Sequence, residues 1–294
     1  LNKEDFIIDE TLQIPVKLGE GGINNRFITR KAYQRGIEAT QQIAARIQEA
    51  EITQVRAVGT SMMRNATNSR EFKADIENII GAEIEVINGN REAQLIYFGV
   101  RWAVGLWNEP AVIVDIGGGS VEFIIADSMK IYWKKSFEIG AARLIEMFPH
   151  NFPVEQESIE DIRVYLNSTL QEVISKLKEY DVKYLVGSSG SFETYTQIEI
   201  NEYLDIHFDE LPLMHPINLS HFEAIKNRIL SGTKEEVSKI PGMAAFRVNM
   251  IVVSTLLTDY LLKDGEIENL YYSDYAVKQG LLWEYIQKEY KELT

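Results

Sequence analysis

The chain has 294 residues, 45% of them hydrophobic and 25% charged, enough apolar material for about two globular domains. It has no cysteine and four scattered histidines, which excludes disulfides, thiolate nucleophiles and cysteine-based metal sites and argues against a histidine-rich zinc site. A net charge of −14 argues against a general nucleic-acid surface, although local arginines, backbone amides or a metal can still hold an anion. No apolar run approaches the ~20 residues that span a bilayer, so no membrane partner is expected and the cytoplasm is the default location.

In chain order, Leu12 to Leu18 reads as a strand ended by Gly19, Gly21 and Gly22. Apolar residues at Ala32, Ile37, Ala39, Ile43, Ala44 and Ile47 predict a helix from Thr29 to about Ala50. A short strand, Val55 to Gly59, runs into a polar loop from Thr60 to Asn68. Phe72, Ile76, Ile79 and Ile80 mark a helix that stops at Gly81, and Ile84 to Ile87 is a strand. Asn88-Gly89-Asn90 breaks that strand and can cap a helix carrying Ala93, Ile96, Tyr97, Val100 and Val104 inward. Asn108-Glu109-Pro110 is a plausible linker.

Three strands follow, Ala111–Ile116, Val121–Ala126 and Lys130–Phe137, with connections short enough for an antiparallel meander. Then come a short helix, Ala141 to Phe148, a long one from about Glu155 to Tyr180, and a strand from Lys183 to Gly187. Ser220–Glu223 and Thr233–Glu236 are capping-box patterns that start helices. An apolar helix from about Gly242 to Lys263, a strand from Ile267 to Tyr272 and a helix from Asp274 to about Lys291 complete the chain. The element order of the two halves matches if the first half lacks two opening strands. An internal duplication is therefore expected, with a ligand cleft between its domains.

The chemistry-bearing stretch is Val114-Asp115-Ile116-Gly117-Gly118-Gly119-Ser120-Val121-Glu122-Phe123, a strand, a glycine turn and a strand. Three glycines let backbone N–H groups approach a ligand, and Ser120 adds a hydroxyl. Asp115 and Glu122 place carboxylates at the two edges of the turn, where a divalent cation or a water can be held. Phosphate is the expected ligand; a hairpin turn shaped by glycines is the alternative. Gly187-Ser188-Ser189-Gly190-Ser191 follows a strand and precedes a helix, so it reads either as a second phosphate cradle or as a cap on a buried strand. Glu92 lies in the first turn of its helix, where the dipole favours an ionised carboxylate, and is either a helix-start acid or a group that orients a water. Arg64 is either a solvated arginine or a bidentate phosphate ligand. Trp102, Trp107, Trp133 and Trp283 read as core or domain-seam residues.

The series Thr60–Asn68, then Val86-Ile87-Asn88-Gly89-Asn90-Arg91-Glu92-Ala93-Gln94-Leu95-Ile96-Tyr97-Phe98-Gly99-Val100, then Asp115–Glu122 resembles the exopolyphosphatase/guanosine pentaphosphate phosphatase (PPX/GppA) family. Ile139–Leu144 and Leu185–Ser191 follow in the expected order, so the resemblance covers nearly the whole chain. It implies an α/β fold of two ribonuclease-H-like domains, of the actin-like ATPase and sugar kinase superfamily, the first lacking its N-terminal strands. The expected domains are residues 1–107 with 276–294 packing back, and residues 108–275. The implied activity is magnesium-dependent removal of the terminal phosphate of inorganic polyphosphate or guanosine pentaphosphate. By the same resemblance Glu92 is the base that activates water, and Asp115 and Glu122 hold metal and water. Arg64 and Ser120 would contact phosphate, while the Gly117–Gly119 and Gly187–Gly190 backbones would cradle the chain end. A homodimer is plausible by the same analogy.

The family opens with a first phosphate loop, Asp-Ile-Gly-Ser/Thr-Asn, that this sequence does not contain. The expectation is that the sequence starts after that hairpin and is crippled without it. Val121 replaces a usual threonine, Tyr275 and Lys278 stand where glycine and arginine are frequent, and the extra helical domains of long members are not in this sequence. Two other readings stay open: a polyphosphate or alarmone binder that has lost catalysis, and an actin-like ATPase or kinase.

Overall fold

The computed structural model describes residues 8–104, 108–204, 206–207 and 211–293; Trp107 lies outside them. Packing divides the chain into two units, Leu1–Val86 and Ile87–Thr294.

In the first unit the order is α1 (Arg30–Glu49), β1 (Ala57–Gly59), α2 (Ser61–Asn65), α3 (Ser69–Ile80) and β2 (Ile84–Val86). Strands β1 and β2 pair in parallel, with Ala57 opposite Ile84. Ile28, Ala32, Phe72, Ile76 and Ile84 form the core between the helices and this short sheet. Thr29 caps α1 by accepting from the Ala32 N–H, and α3 ends at Gly81 in a left-handed conformation (φ 68°).

Two sequence expectations change here. The segment 12–18 is not a strand. Its carbonyls are served by a side chain instead of a ladder: the Arg35 guanidinium donates to Val16 O at 2.8 Å and Lys17 O at 3.1 Å. The stretch from Thr60 to Asn68 is not all loop, because α2 closes a helical turn with Arg64 N–H donating to Thr60 O. Met62 and Met63 pack that turn on the core.

The second unit opens with α4 (Gly89–Val104) and continues with β3 (Ala111–Ile116), β4 (Val121–Ala126), β5 (Ile131–Phe137), α5 (Ala141–Met147), α6 (Gln156–Glu179) and β6 (Tyr184–Ser188). Then follow α7 (Gly190–Tyr203), β7 (Met214–Ile217), α8 (Leu219–Ser231), α9 (Lys234–Ser238), α10 (Val248–Asp264), β8 (Asn269–Ser273) and α11 (Val277–Leu293). The sheet order is β5-β4-β3-β6-β8-β7. The first three strands form the expected antiparallel meander, β3, β6 and β8 run parallel, and β7 closes the edge antiparallel to β8. This is the ribonuclease-H-like arrangement with one added edge strand, β7, which the sequence reading missed because Pro216 interrupts a stretch of only four residues.

Side-chain alternation splits the core in two. Val112, Val114, Ile116, Val121, Phe123 and Ile125 face α6 and α10. Ala111, Ile113, Ile124, Ala126 and Val186 face α4. The stretch Ala245–Asp264, which contains α10, is long and apolar enough to cross a membrane by length and composition, which the sequence reading overlooked. Its most apolar part is 67% buried inside the fold, as in the core helix of a globular protein. Helix α8 begins at Leu219, two residues earlier than the capping-box pattern implied. The Asn218 side chain accepts from the Ser220 N–H at 2.8 Å and so takes over the cap. The box at Thr233 forms as read.

Helix α4 packs on β3, β4 and β5 and lies along α11, so it groups with the second unit. The division into residues 1–107 with 276–294, and 108–275, stays a proposal about the duplicated unit.

Candidate active site

The same alternation that buries Ile113, Ile124 and Val186 under α4 carries the next residues of each strand to that face, beyond the apolar patch. On β3 this is Asp115, on β4 Glu122, and on β6 Ser188. The register sets Asp115 directly opposite Glu122 and Glu122 opposite Ser136 of β5. Ser136 Oγ donates to Glu122 Oε1 at 2.6 Å, and Ser188 Oγ donates to Asp115 Oδ2 at 3.1 Å. The first residue of α4 closes on the same point. A Cβ on Gly89 would sit 2.4 Å from Ser136 Cβ, so only glycine lets the helix start there. Asn88, the first residue of the Asn88-Gly89-Asn90 stretch expected to cap this helix, caps α4 by accepting from the Arg91 N–H at 2.9 Å, and Glu92 occupies the first turn. Three carboxylates from three elements thus meet at one end of the sheet, all buried, Glu122 with 1% of its surface exposed.

The glycine turn is held from behind. The N–H groups of Gly140, Ala141, Ala142 and Arg143, at the start of α5, donate to the carbonyls of Gly117, Gly118 and Gly119 at 2.9–3.3 Å. Arg143 Nε adds a bond to Gly119 O at 3.2 Å. Because a trans peptide points its C=O and the following N–H in opposite directions, these bonds turn the N–H groups of Gly118, Gly119 and Ser120 away from α5. Such a row of N–H groups is an anion cradle. The fit depends on Gly140, where a Cβ would lie 2.5 Å from backbone atoms of both Gly118 and Gly119. Gly140→Ala is expected to push the turn off α5 and cost about 1–3 kcal/mol, read as a fall in Tm. An unchanged Tm would show that the turn accommodates the methyl group.

Burial pushes Glu122 up to about 8, with the charges of Glu92 and Asp115 adding to it and Ser136 and Ser120 opposing it. Asp115 is also raised by burial, against the hydrogen bonds of Ser188 and Ser189. A carboxylate cluster that resists ionisation in this way suits a cation, which reverses the sign of the local field. Among the described residues no three acidic or histidine side chains are placed to cage a metal alone. The set fits Mg2+, which takes one or two carboxylates and completes its shell with water and substrate phosphate. Asp115 and Glu122 are the residues that would hold it.

The remaining candidates differ in how they are used. Ser120 is buried at the end of the turn. The second loop is packed tightly: a Cβ on Gly187 would enter the Phe192 ring, and one on Gly190 would enter the Arg247 guanidinium. Ser189 caps α7 at φ 79°, ψ 177°, a region rarely adopted by side-chain-bearing residues, and its Oγ donates to Ile116 O at 3.3 Å. Ser188 is committed to Asp115. Arg64 belongs to the first unit, in the last turn of α2. Val121 points into the α6 and α10 core, on the face opposite Glu122, so a hydroxyl there would not join the carboxylates. Ser136, Gly140, Arg143 and Arg247 were not singled out as site residues from sequence. Ser136 had one readable signal, its place across the meander from Glu122, but that needs the register, which shifts at Ile125/Ala126.

Residues 7–289 match the profile of the Ppx/GppA phosphatase family. The chain belongs to this family. The chain is 32% identical to an exopolyphosphatase from Cytophaga hutchinsonii, with a TM-score of 0.89 over 93% of this chain and 88% of that one. An exopolyphosphatase-like protein shares the fold at 23% identity, with a TM-score of 0.84 over 95% and 89% of the two chains. A Ppx/GppA family member from Aquifex aeolicus shares it at 22% identity, with a TM-score of 0.75 over 93% and 87%. The fold is therefore the α/β, actin-like fold that the sequence resemblance implied. Membership makes the chain a phosphatase-type hydrolase.

Proposed function

We propose that the protein removes the terminal phosphate of inorganic polyphosphate by metal-dependent hydrolysis, with guanosine pentaphosphate as a second substrate. The observation that carries this reading is the meeting of Glu92, Asp115 and Glu122 beside a turn whose N–H groups face away from its supporting helix. An anion cradle alone binds phosphate. A cradle next to buried carboxylates can also hold a water and take its proton. Phosphatases of this family generally depend on a divalent metal, which here would neutralise phosphate charge beside Asp115 and Glu122.

In this reading the N–H groups of Gly118, Gly119 and Ser120 hold the terminal phosphate. Glu92 orients a water and accepts its proton as the water oxygen bonds to the terminal phosphorus. The bridging P–O bond breaks on the opposite side, releasing orthophosphate and leaving a polyphosphate one unit shorter. Positioning and charge neutralisation carry such a displacement, with little covalent help needed. Arg64 keeps the phosphate-contact role implied by the family resemblance.

The test is orthophosphate release by the full-length protein from polyphosphate, guanosine pentaphosphate and ATP, each with Mg2+ and with EDTA. The expected result is Mg2+-dependent release from polyphosphate that exceeds release from ATP. Saturable ATP turnover with none from polyphosphate would overturn the reading in favour of an ATPase. Tight polyphosphate binding without turnover would overturn it in favour of a binder.

A further inference from the structure

Ser136 lies half-buried on β5 and touches two of the elements that build the site. Antiparallel pairing sets it directly opposite Glu122, and its hydroxyl donates to Glu122 Oε1 at 2.6 Å. From the other side the start of α4 rests on the same side chain: a Cβ on Gly89 would fall 2.4 Å from Ser136 Cβ and 2.6 Å from its Oγ. Glu92 follows Gly89 by three residues, almost one turn along the helix. One hydroxymethyl group thus stands between the strand that carries Glu122 and the helix that carries Glu92. Its neighbours do not share the place. Lys135 turns to the opposite face and pairs with Glu172, and Phe137 packs edge-on to Phe123 in the core. Alanine would fit against Gly89 but has no donor, and a longer side chain would meet the α4 backbone. Serine is the smallest residue that makes both contacts.

We infer that Ser136 is a positioning residue: it holds the Glu122 carboxylate in the orientation that receives a divalent cation and fixes the place of that carboxylate relative to Glu92. The inference rests on the proposed function for the reaction it serves. Its geometric basis, the bond from Ser136 to Glu122 and the seat of Gly89, is independent of that reading. A carboxylate that binds metal depends on such outer partners, and their loss costs about 10- to 100-fold in metal affinity or activity. The glycine turn is held by α5 and not by β5, so phosphate binding by its N–H groups does not pass through Ser136.

The experiment compares full-length wild type, Ser136→Ala, Ser136→Thr and Glu122→Gln. Mn2+ binding without substrate is followed by the loss of the free-ion EPR signal, and the binding that Glu122→Gln lacks is the share of this site. Kinetics with polyphosphate at saturating Mg2+ separates kcat from KM. Ser136→Ala is expected to weaken that Mn2+ binding about tenfold and to lower kcat about tenfold, with KM within about twofold. Ser136→Thr keeps the donor on a residue type that strands favour and should recover most of both. Undiminished Mn2+ binding in Ser136→Ala, a threonine variant no better than alanine, or equal Mn2+ binding by wild type and Glu122→Gln would each overturn the inference. So would a rise in KM matching the fall in kcat together with a lower Tm, the mark of a general loosening. If Mn2+ binding follows the hydroxyl while polyphosphate is not hydrolysed, the positioning role stands and the proposed reaction falls. If wild type and Ser136→Ala hydrolyse polyphosphate with equal kcat, the reaction stands and the role falls.

Discussion

Glu122→Gln is expected to melt at a higher temperature than wild type at pH 8–9 and at nearly the same temperature near pH 4.5, in the presence of EDTA. Glu122 in the folded chain holds its proton up to about 8, against 4.5 for the free group. Between those values the folded state binds a proton that the unfolded state has released. Stability therefore falls as pH rises through this window, is fully present below it, and is lowest above it. The cost of ionising so buried a group is on the order of 3–5 kcal/mol across the window. Glutamine keeps an oxygen for the Ser136 hydroxyl while removing the ionisable group. The wild-type curve should slope down with pH and the variant curve should be flatter. Mg2+ should stabilise wild type most at the alkaline end, where it takes the place of the missing proton, and should do less for the variant. Parallel pH profiles in the two proteins would show that Glu122 is not the buried titrating acid.

Glu92→Gln carries the largest expected effect on turnover. A positioned carboxylate base contributes about 10²- to 10⁴-fold, so kcat should fall in that range while KM for polyphosphate changes only a few-fold. The residue is buried in the first turn of α4, and glutamine preserves its shape, so the helix and the contact of Gly89 with Ser136 should persist. A second readout separates loss of chemistry from loss of structure. Glu92 is one of two negative neighbours that raise Glu122. Its removal should move the inflection of the pH–stability curve to lower pH. Turnover equal to wild type would remove Glu92 from the reaction. Lost turnover with an unmoved inflection would mean that its charge does not reach Glu122.

Much of the second unit was legible because its strands and helices obey strong local periods. Asp115, the glycines and Glu122 stand within eight residues of one another, so a short hairpin had to place the two acids together. Helix α3 stopped at Gly81 and the box at Thr233 formed, since both depend on residues adjacent in sequence. Where a partner from elsewhere decided the outcome, local reading failed. Segment 12–18 has strand-like composition, but Arg35 satisfies its carbonyls. The apolar stretch beginning near Gly242 starts with a 3-10 turn, Ala245–Arg247, before α10 forms.

By itself the sequence determined the α/β class, the meander, the carboxylate-flanked glycine turn and the family, because each is written in contiguous residues or their order. Only the tertiary structure decided what surrounds that turn. The α5 N–H groups take its carbonyls, Ser136 and Ser188 hold its two acids, and Gly89 brings the α4 N-terminus against Ser136. Lys134 and Lys135 look alike in sequence, yet one faces the carboxylate side and the other the opposite core. The physical reason is the two-residue period of a strand: register fixes which side chains share a face, and register is set by pairing between strands.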